Sequence, residues 1–271
     1  KKLQGLGVKE VKPFFNVMHA FPGACLPKYF YDVPENYNLS ALDDLKADLN
    51  DAESQKTLQG FHDHVFRGHF SSMPYHKIFH ESPISITEKT TFVDAGAFNG
   101  DTLQAFTKCY GNKYNKYIAL EPDEENFTAL KKTAREIKNS KTKIHLLNAA
   151  LWKENGLIEF DSQGNTASSI SGSSVEGEAK VVTRSLDSLY EEYGLDDNAC
   201  IKLDIEGAEI DALLGAKRTL SRYKPVLMLS IYHNPHDLTE IYKIIKSYTG
   251  RYKFALRCHA GDGNDTMLYC F

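Results

Sequence analysis

The run FVDAGAFNGD, residues 92–101, sets an acid, Asp94, two residues ahead of a turn holding Gly96 and Gly100. A short apolar run enters that turn and a helical pattern leaves it. Backbone N–H groups and the helix N-terminus therefore face whatever binds at the strand tip. A dinucleotide fingerprint would read Gly-x-Gly-x-x-Gly, whereas this chain carries Ala97 and Phe98 after its first glycine. An acid at Asp94 would repel a pyrophosphate. It suits a cationic group, such as the amino group of an amino-acid moiety or a sulfonium. Gly96 must be small for a ligand to lie on the backbone. Glu121 ends the next apolar run, 27 residues after Asp94, where an acid in Rossmann-like folds binds ribose hydroxyls. Its plain alternative is a capping acid, since Glu121-Pro122-Asp123 also starts a helix well. Taken together, Asp94, Gly96 and Glu121 point to an adenosine-containing ligand. In Leu147-Asn148-Ala149-Ala150-Leu151, small residues leave room for a flat ring that Asn148 or a backbone amide could read.

A second group of candidates lies further on. IKLDIEGAE, residues 201–209, carries Lys202, Asp204, Glu206 and Glu209 in an otherwise apolar strand, where charge is costly unless it is used. Lys202 and Asp204 share a side by the period of two, and a mutual ion pair is the plain account of them. Glu206 sits at the strand tip. The next strand ends in Ser230-Ile231-Tyr232-His233-Asn234-Pro235. Ligands of open α/β sheets bind beyond the carboxyl ends of strands, so His233 and Tyr232 should border the same cleft as Glu206. Packing or helix capping is the alternative for His233.

The elements that must position these residues alternate strand and helix from Thr90 onward. Strands are expected at 91–93, 117–120, 143–147, 201–205 and 225–231, with helices at 101–110, 124–137 and 238–248. A further helix after the fourth strand should bury Ile210, Leu213, Leu214 and Leu220 on one face. Runs at 252–258 and 267–271 are joined by a turn-rich loop, which forces antiparallel pairing. This pattern predicts a doubly wound, mostly parallel α/β sheet with an antiparallel last strand. Residues 152–199 form an insertion. Short strands are expected at 157–160 and 181–183, with a mobile Ser- and Gly-rich loop at 162–177 that is either a lid or an ordinary flexible loop.

Residues 1–85 have a different texture and are expected to be an accessory region ahead of a domain at 86–271. Aromatics and prolines over 11–37 predict short extended pieces and turns. Helices follow at Ser40 onward and at 59–70. His62, His64, His69, His76 and His80 are close in sequence, but His62 and His64 point to different helix faces, and surface or core roles suit them better than a metal site. The absence of an initiator Met suggests a fragment with something missing upstream.

Composition narrows the classes. A net charge of −4 offers no basic footprint for nucleic acid, and no apolar run approaches a membrane span. Five cysteines, Cys25, Cys109, Cys200, Cys258 and Cys270, are scattered without a C-x-x-C pair. That favours buried thiols in a reducing compartment, with the cytoplasm as default. Oligomeric state is not encoded legibly.

The series FVDAGAFNGDT, ALEPD, NAAL, VTRSLDSL, IKLDIEGAE and LSIYHNPHDL resembles the FkbM-type methyltransferases over about residues 90–271. The resemblance implies a class I, Rossmann-like methyltransferase with a seven-stranded sheet, using S-adenosyl-L-methionine (SAM) to methylate hydroxyls, often of sugars or natural products. The SAM pocket would include Asp94, Gly96, Ala97, Asn99, Gly100, Asp101 and Glu121, with Asn148 and Ala149 near the adenine. Lys202, Asp204, Glu206 and His233 would face the methyl-transfer centre. Phe98 replaces the usual middle glycine. A hydroxyl acceptor needs a general base; His233 is the first candidate and Glu206 the second. Asp204 and Glu206 could instead hold a divalent cation with a third oxygen, but the sequence shows no third ligand and no metal is assigned. The rivals are a nicotinamide oxidoreductase, disfavoured by Asp94 and the missing glycines, and a non-catalytic SAM- or nucleotide-sugar-binding module of a larger assembly.

Overall fold

The computed structural model describes residues 39–67, 73–137, 143–161, 169–170, 179–234, 236–260 and 265–271. Two helices come first, α1 (Leu39–Asp48) and α2 (Ala52–Arg67). Then β1 (Thr91–Ala95), α3 (Asp101–Tyr110), β2 (Lys116–Leu120), α4 (Glu124–Glu136) and β3 (Ile144–Leu147) alternate. The insertion supplies β4 (Ala150–Leu151), β5 (Gly156–Asp161), β6 (Ser169–Ile170), β7 (Ala179–Arg184) and α5 (Leu186–Tyr193). After it come β8 (Ala199–Leu203), α6 (Glu209–Leu214), α7 (Lys217–Arg222), β9 (Val226–Ser230), α8 (Asp237–Tyr248), β10 (Phe254–Cys258) and β11 (Thr266–Cys270).

Seven strands form one sheet in the order β10-β11-β9-β8-β1-β2-β3. Neighbours from β3 through β9 pair in parallel, and β11 runs antiparallel to both β9 and β10. This is the mostly parallel α/β sheet that the alternation and the closing hairpin predict, with the seven strands of the class I methyltransferase fold that the resemblance implies. Side chains alternate between two apolar layers, as the pleat requires. Val93, Ala95, Ile118, Leu120, Ile201 and Leu203 join one layer. Phe92, Tyr117, Ala119, Cys200 and Met228 join the other, with Leu103 and Phe106 of α3 and Leu130 of α4. Leu42 and Leu45 of α1 and Leu58 and Phe61 of α2 belong to the first layer, so these helices share the core of the sheet. Ser54 and Asp51 hold Arg257 of β10 at 2.9 and 3.0 Å, and Asp48 accepts from Tyr242 and Lys246 of α8.

Several expectations shift. The fourth parallel strand ends at Leu203, two residues earlier than expected; the Asp204 N–H makes the last ladder bond, to the Ala95 carbonyl of β1, and the chain then turns at Glu206 and Gly207, both with positive φ. The second helix begins at Ala52, seven residues before the expected start, since Asp51 accepts the Ser54 N–H and starts it. The single helix expected after β8 is broken into α6 and α7 at Gly215, and Leu214 is exposed rather than buried. Gly215 is required at the break, since a Cβ on it would lie 2.5 Å from the Trp152 carbonyl oxygen. The insertion's strands pair as a second sheet, β4-β7-β5-β6. Ser169–Ile170 is therefore a strand within the stretch expected to be loop, and the rest of 162–177 lies outside the described residues. So do Cys25, His69 and the aromatic run at 11–37. The strand cysteines Cys200, Cys258 and Cys270 are buried and form no disulfide among the described residues. Among the described residues no helix is long and apolar enough to cross a membrane.

Candidate functional site

β1 is the middle of the site because β2 and β8 flank it in register, Asp94 opposite Ala119 on one side and Lys202 on the other. Its exit turn is tight. Gly96 and Ala97 both donate to the Leu120 carbonyl, and Gly100 donates back to Ala97. Gly96 has φ +78°, and a Cβ there would sit 1.8 Å from the Asp204 carbonyl oxygen. The glycine is thus required by the approach of the β8 turn as much as by any ligand. Phe98 takes φ +45° where a middle glycine would relax it. Such a conformation costs a bulky residue about 1–3 kcal/mol, and here the Phe98 N–H is fixed by a 2.9 Å bond to Glu121 Oε2.

Glu121 is buried at the tip of β2, and its other oxygen accepts the Asp123 N–H at 2.9 Å. Burial outweighs these two donors and pushes the carboxyl up to about 7. Asn148 donates to the Glu121 and Pro122 carbonyls, which ties the β3 exit to the same turn. Ala149 beside it is buried, whereas Asn148, Asn99 and Asp101 are exposed. Asn99 and Asp101 order the start of α3 by accepting the N–H groups of Asp101 and Thr102.

Asp94 points into the molecule, fully buried. It accepts from Tyr117 O–H at 2.6 Å and pairs with Lys202 Nζ at 3.3 Å. Register explains the pair, because opposed residues of adjacent strands share a face. Lys202 also reaches Asp204 at 3.4 Å, so the expected Lys202–Asp204 pair is one half of a bridge. Desolvation raises the Asp94 carboxyl above the usual range despite Lys202 and Tyr117. For Lys202, desolvation is outweighed by Asp94 and Asp204, which hold the ammonium above its ordinary value.

Beyond Leu203 the chain turns through Ile205-Glu206-Gly207, with Glu206 at φ +55°. That turn projects Glu206 to solvent, at 37% side-chain exposure, while Glu209 four residues after Ile205 folds inward and accepts its N–H at 2.8 Å. His233, after β9, meets all of them: Nδ1 lies 3.0 Å from Glu209, and Nε2 lies 3.6 Å from Asp204 and 3.7 Å from Glu206. Ser230 and Tyr232 donate to Asp204. Burial alone would lower the imidazole's affinity for a proton, but Glu209, Asp204 and Glu206 push it up to about 9. Glu206 itself is pushed up to about 7 by burial.

The fold therefore brings Lys202, Asp204, Glu206 and His233 together and joins them to Asp94. Tyr117 and the buried Glu209 complete the network. Glu209 was visible in the motif but without a role. Tyr117 reads only as one more strand residue, and nothing in the sequence ties it to Asp94. His62, His76 and His80 join no group of three potential ligands among the described residues.

Residues 94–252 match the methyltransferase FkbM domain. The FkbM methyltransferase from Methylobacillus flagellatus KT is similar in structure at TM-score 0.71 and 26% identity, over 86% of this chain and 59% of that one. More distant likenesses have TM-scores below 0.5. They include a putative rRNA-methylase from Clostridium thermocellum, at 9% identity and 0.44 over 68% of this chain and 87% of that one. Another is SMU.1697c from Streptococcus mutans, a putative methyltransferase in complex with SAH, at 12% and 0.40 over 69% and 91%. No curated protein matches the sequence. The match covers more than half of the chain, and it falls on the strands and turns that carry Asp94, Glu121, Asp204, Glu206 and His233: the chain belongs to the FkbM methyltransferase domain family, whose members use SAM.

Proposed function

We propose that this chain transfers a methyl group to a hydroxyl of a sugar, glycan or natural-product acceptor, with Glu206 as the proton acceptor. The observation that carries this reading is the contact between Gly96 and Asp204, which sets the nucleoside-type turn of β1 directly against the acid cluster that follows β8. SAM supplies an electrophilic methyl group on a positively charged sulfur.

The chain's own residues fit such a ligand. Glu121 keeps lone pairs after accepting two backbone N–H groups, since a carboxylate has about four acceptor positions, and ribose hydroxyls are donors of the right kind. Among the described residues, Asp94, Asp204, Glu206, Glu209 and Asp237 face Lys202 and His233 as cations, five carboxyl groups to two. That excess of carboxyl groups favours a cationic ligand. Asn148 and Ala149 would border the adenine. Asp94 would act through Lys202, since it is enclosed beneath the turn, and Gly100, Asn99 and Asp101 would hold the entry to α3. Among the clustered acids Glu206 has the most exposed side chain, at 37% against 22% for Asp204 and none for Glu209 and Asp94. His233, the other candidate base, is enclosed by carboxylates on both ring edges and is better suited to orienting Asp204 and Glu206.

Transfer of label from tritiated SAM to nucleotide sugars and cell-envelope glycans tests the reading. A base-stable methyl ether is expected; label on nitrogen, or on no acceptor at all, would contradict it. The pocket has its own pH signature. Burial, helped by the nearby Asp123 and Asp94, pushes the Glu121 carboxyl up to about 7, and hydroxyl donors favour the ionised form. S-adenosylhomocysteine (SAH) should bind more tightly as pH rises through 7, and about tenfold more weakly at one unit below than on the plateau. Calorimetry in buffers of different ionisation enthalpy should detect proton release, and Glu121→Gln should abolish both effects.

A further inference from the structure

His233, just after β9, is buried against three acids that follow β8, Asp204, Glu206 and Glu209. One ligand atom from each of Asp204, Glu209 and His233 lies within 4.8 Å of the other two, and no other such group occurs among the described residues. Glu209 is fully buried, and its Oε2 has no hydrogen-bond partner. Its Oε1 faces His233 Nδ1 at 3.0 Å, which keeps the carboxyl turned toward the imidazole. Neither ring nitrogen of His233 makes an aligned hydrogen bond, although both face carboxylates. A buried carboxylate oxygen without a donor is costly, and a cation would satisfy it.

We propose that Asp204, Glu209 and His233 bind one first-row divalent cation at the carboxyl ends of β8 and β9, with Glu206 beside its open positions. Mixed carboxylate and imidazole donors suit manganese, iron, cobalt, nickel or zinc better than magnesium or calcium, which prefer all-oxygen sets. Ligands on opposite sides of a metal with bonds of about 2.1 Å lie about 4.2 Å apart, so small side-chain movements bring the three atoms into coordination. Three protein ligands leave positions for water or for an acceptor oxygen, whose proton the cation would make easier to remove. Ser230 and Tyr232 donate to Asp204 Oδ1, the oxygen that faces His233, through 2.7 and 3.0 Å hydrogen bonds, and Lys202 holds Oδ2; hydrogen bonds of this kind orient a ligating carboxylate.

The test uses tag-free, chelator-stripped full chain titrated with Co2+. Visible d–d absorption saturating at one equivalent is expected, and His233→Asn and Glu209→Gln should each weaken it at least about tenfold. Pulsed EPR of the unsubstituted chain loaded with Mn2+ should show coupling to an imidazole nitrogen, which decides the matter even where a variant fails to fold. Absence of d–d absorption at large excess, or Mn2+ without nitrogen coupling, overturns the site. SAH titrated into the same samples keeps the two proposals separate. Cation binding without SAH binding upholds the site and overturns the proposed function, and SAH binding without cation binding does the reverse.

Discussion

Replacing Lys202 with Met should cost about 3–5 kcal/mol of folding free energy, the range for removing one partner of a buried ion pair. Lys202 is 3% exposed and bridges Asp94 and Asp204 at 3.3 and 3.4 Å. Without it Asp94, which no solvent reaches, keeps only the Tyr117 hydroxyl as a donor. The uncompensated charge, more than any lost contact, is what destabilises. The double variant Lys202→Met, Asp94→Asn should therefore recover part of the loss, because exchanging a whole buried pair is far cheaper than halving it. Urea unfolding measures both. A single-variant loss near zero would mean that Asp94 does not depend on Lys202.

Glu206→Gln should lower kcat by about 10²–10⁴-fold, the range for removing a general base, while SAH affinity stays as in the parent chain. Gln preserves the size of the side chain on its φ +55° turn but cannot accept and carry away the acceptor's proton. His233→Ala provides the contrast. Its ring sits among Glu209, Asp204 and Glu206, so its loss should disturb the cluster and its stability together. Unchanged turnover in Glu206→Gln, measured by SAH release, would remove Glu206 from the chemistry.

The parallel strands could be read because each is a short apolar run, those of β1, β2 and β8 ending at a glycine or an acid, and the helices after β1, β2 and β9 because their apolar period is regular. The turn of β1 and the acid at the tip of β2 were legible for the same reason: local sequence fixes what sits at a strand end. Contacts between strands were not. The Asp94–Lys202 pair depends on register across 108 residues of chain, shown by the pairing of positions 94 and 202, and periodicity carries no register. Lys202 was matched to Asp204, its neighbour on the same strand, and only half of that bridge was foreseen. Glu209 was hidden differently. It follows a left-handed turn at Glu206 and Gly207, which redirects the chain inward in a way a strand period cannot anticipate. The packing of Gly215 against the distant Trp152 carbonyl is likewise invisible to periodicity, and the pattern of Ile210, Leu213, Leu214 and Leu220 suggests one helix where there are two.

The central claim is that the tips of β1 and β2 hold the nucleoside of a methyl donor, with Glu121 at its ribose. Isothermal titration of SAH and of NADH into the parent chain and into Glu121→Ala tests it most directly. The account predicts one-to-one SAH binding, no response to NADH, and SAH affinity weakened about 10- to 100-fold in the variant, the worth of hydrogen bonds to a charged group. NADH binding without SAH binding, or a Glu121→Ala chain that binds SAH as tightly as its parent, would contradict it.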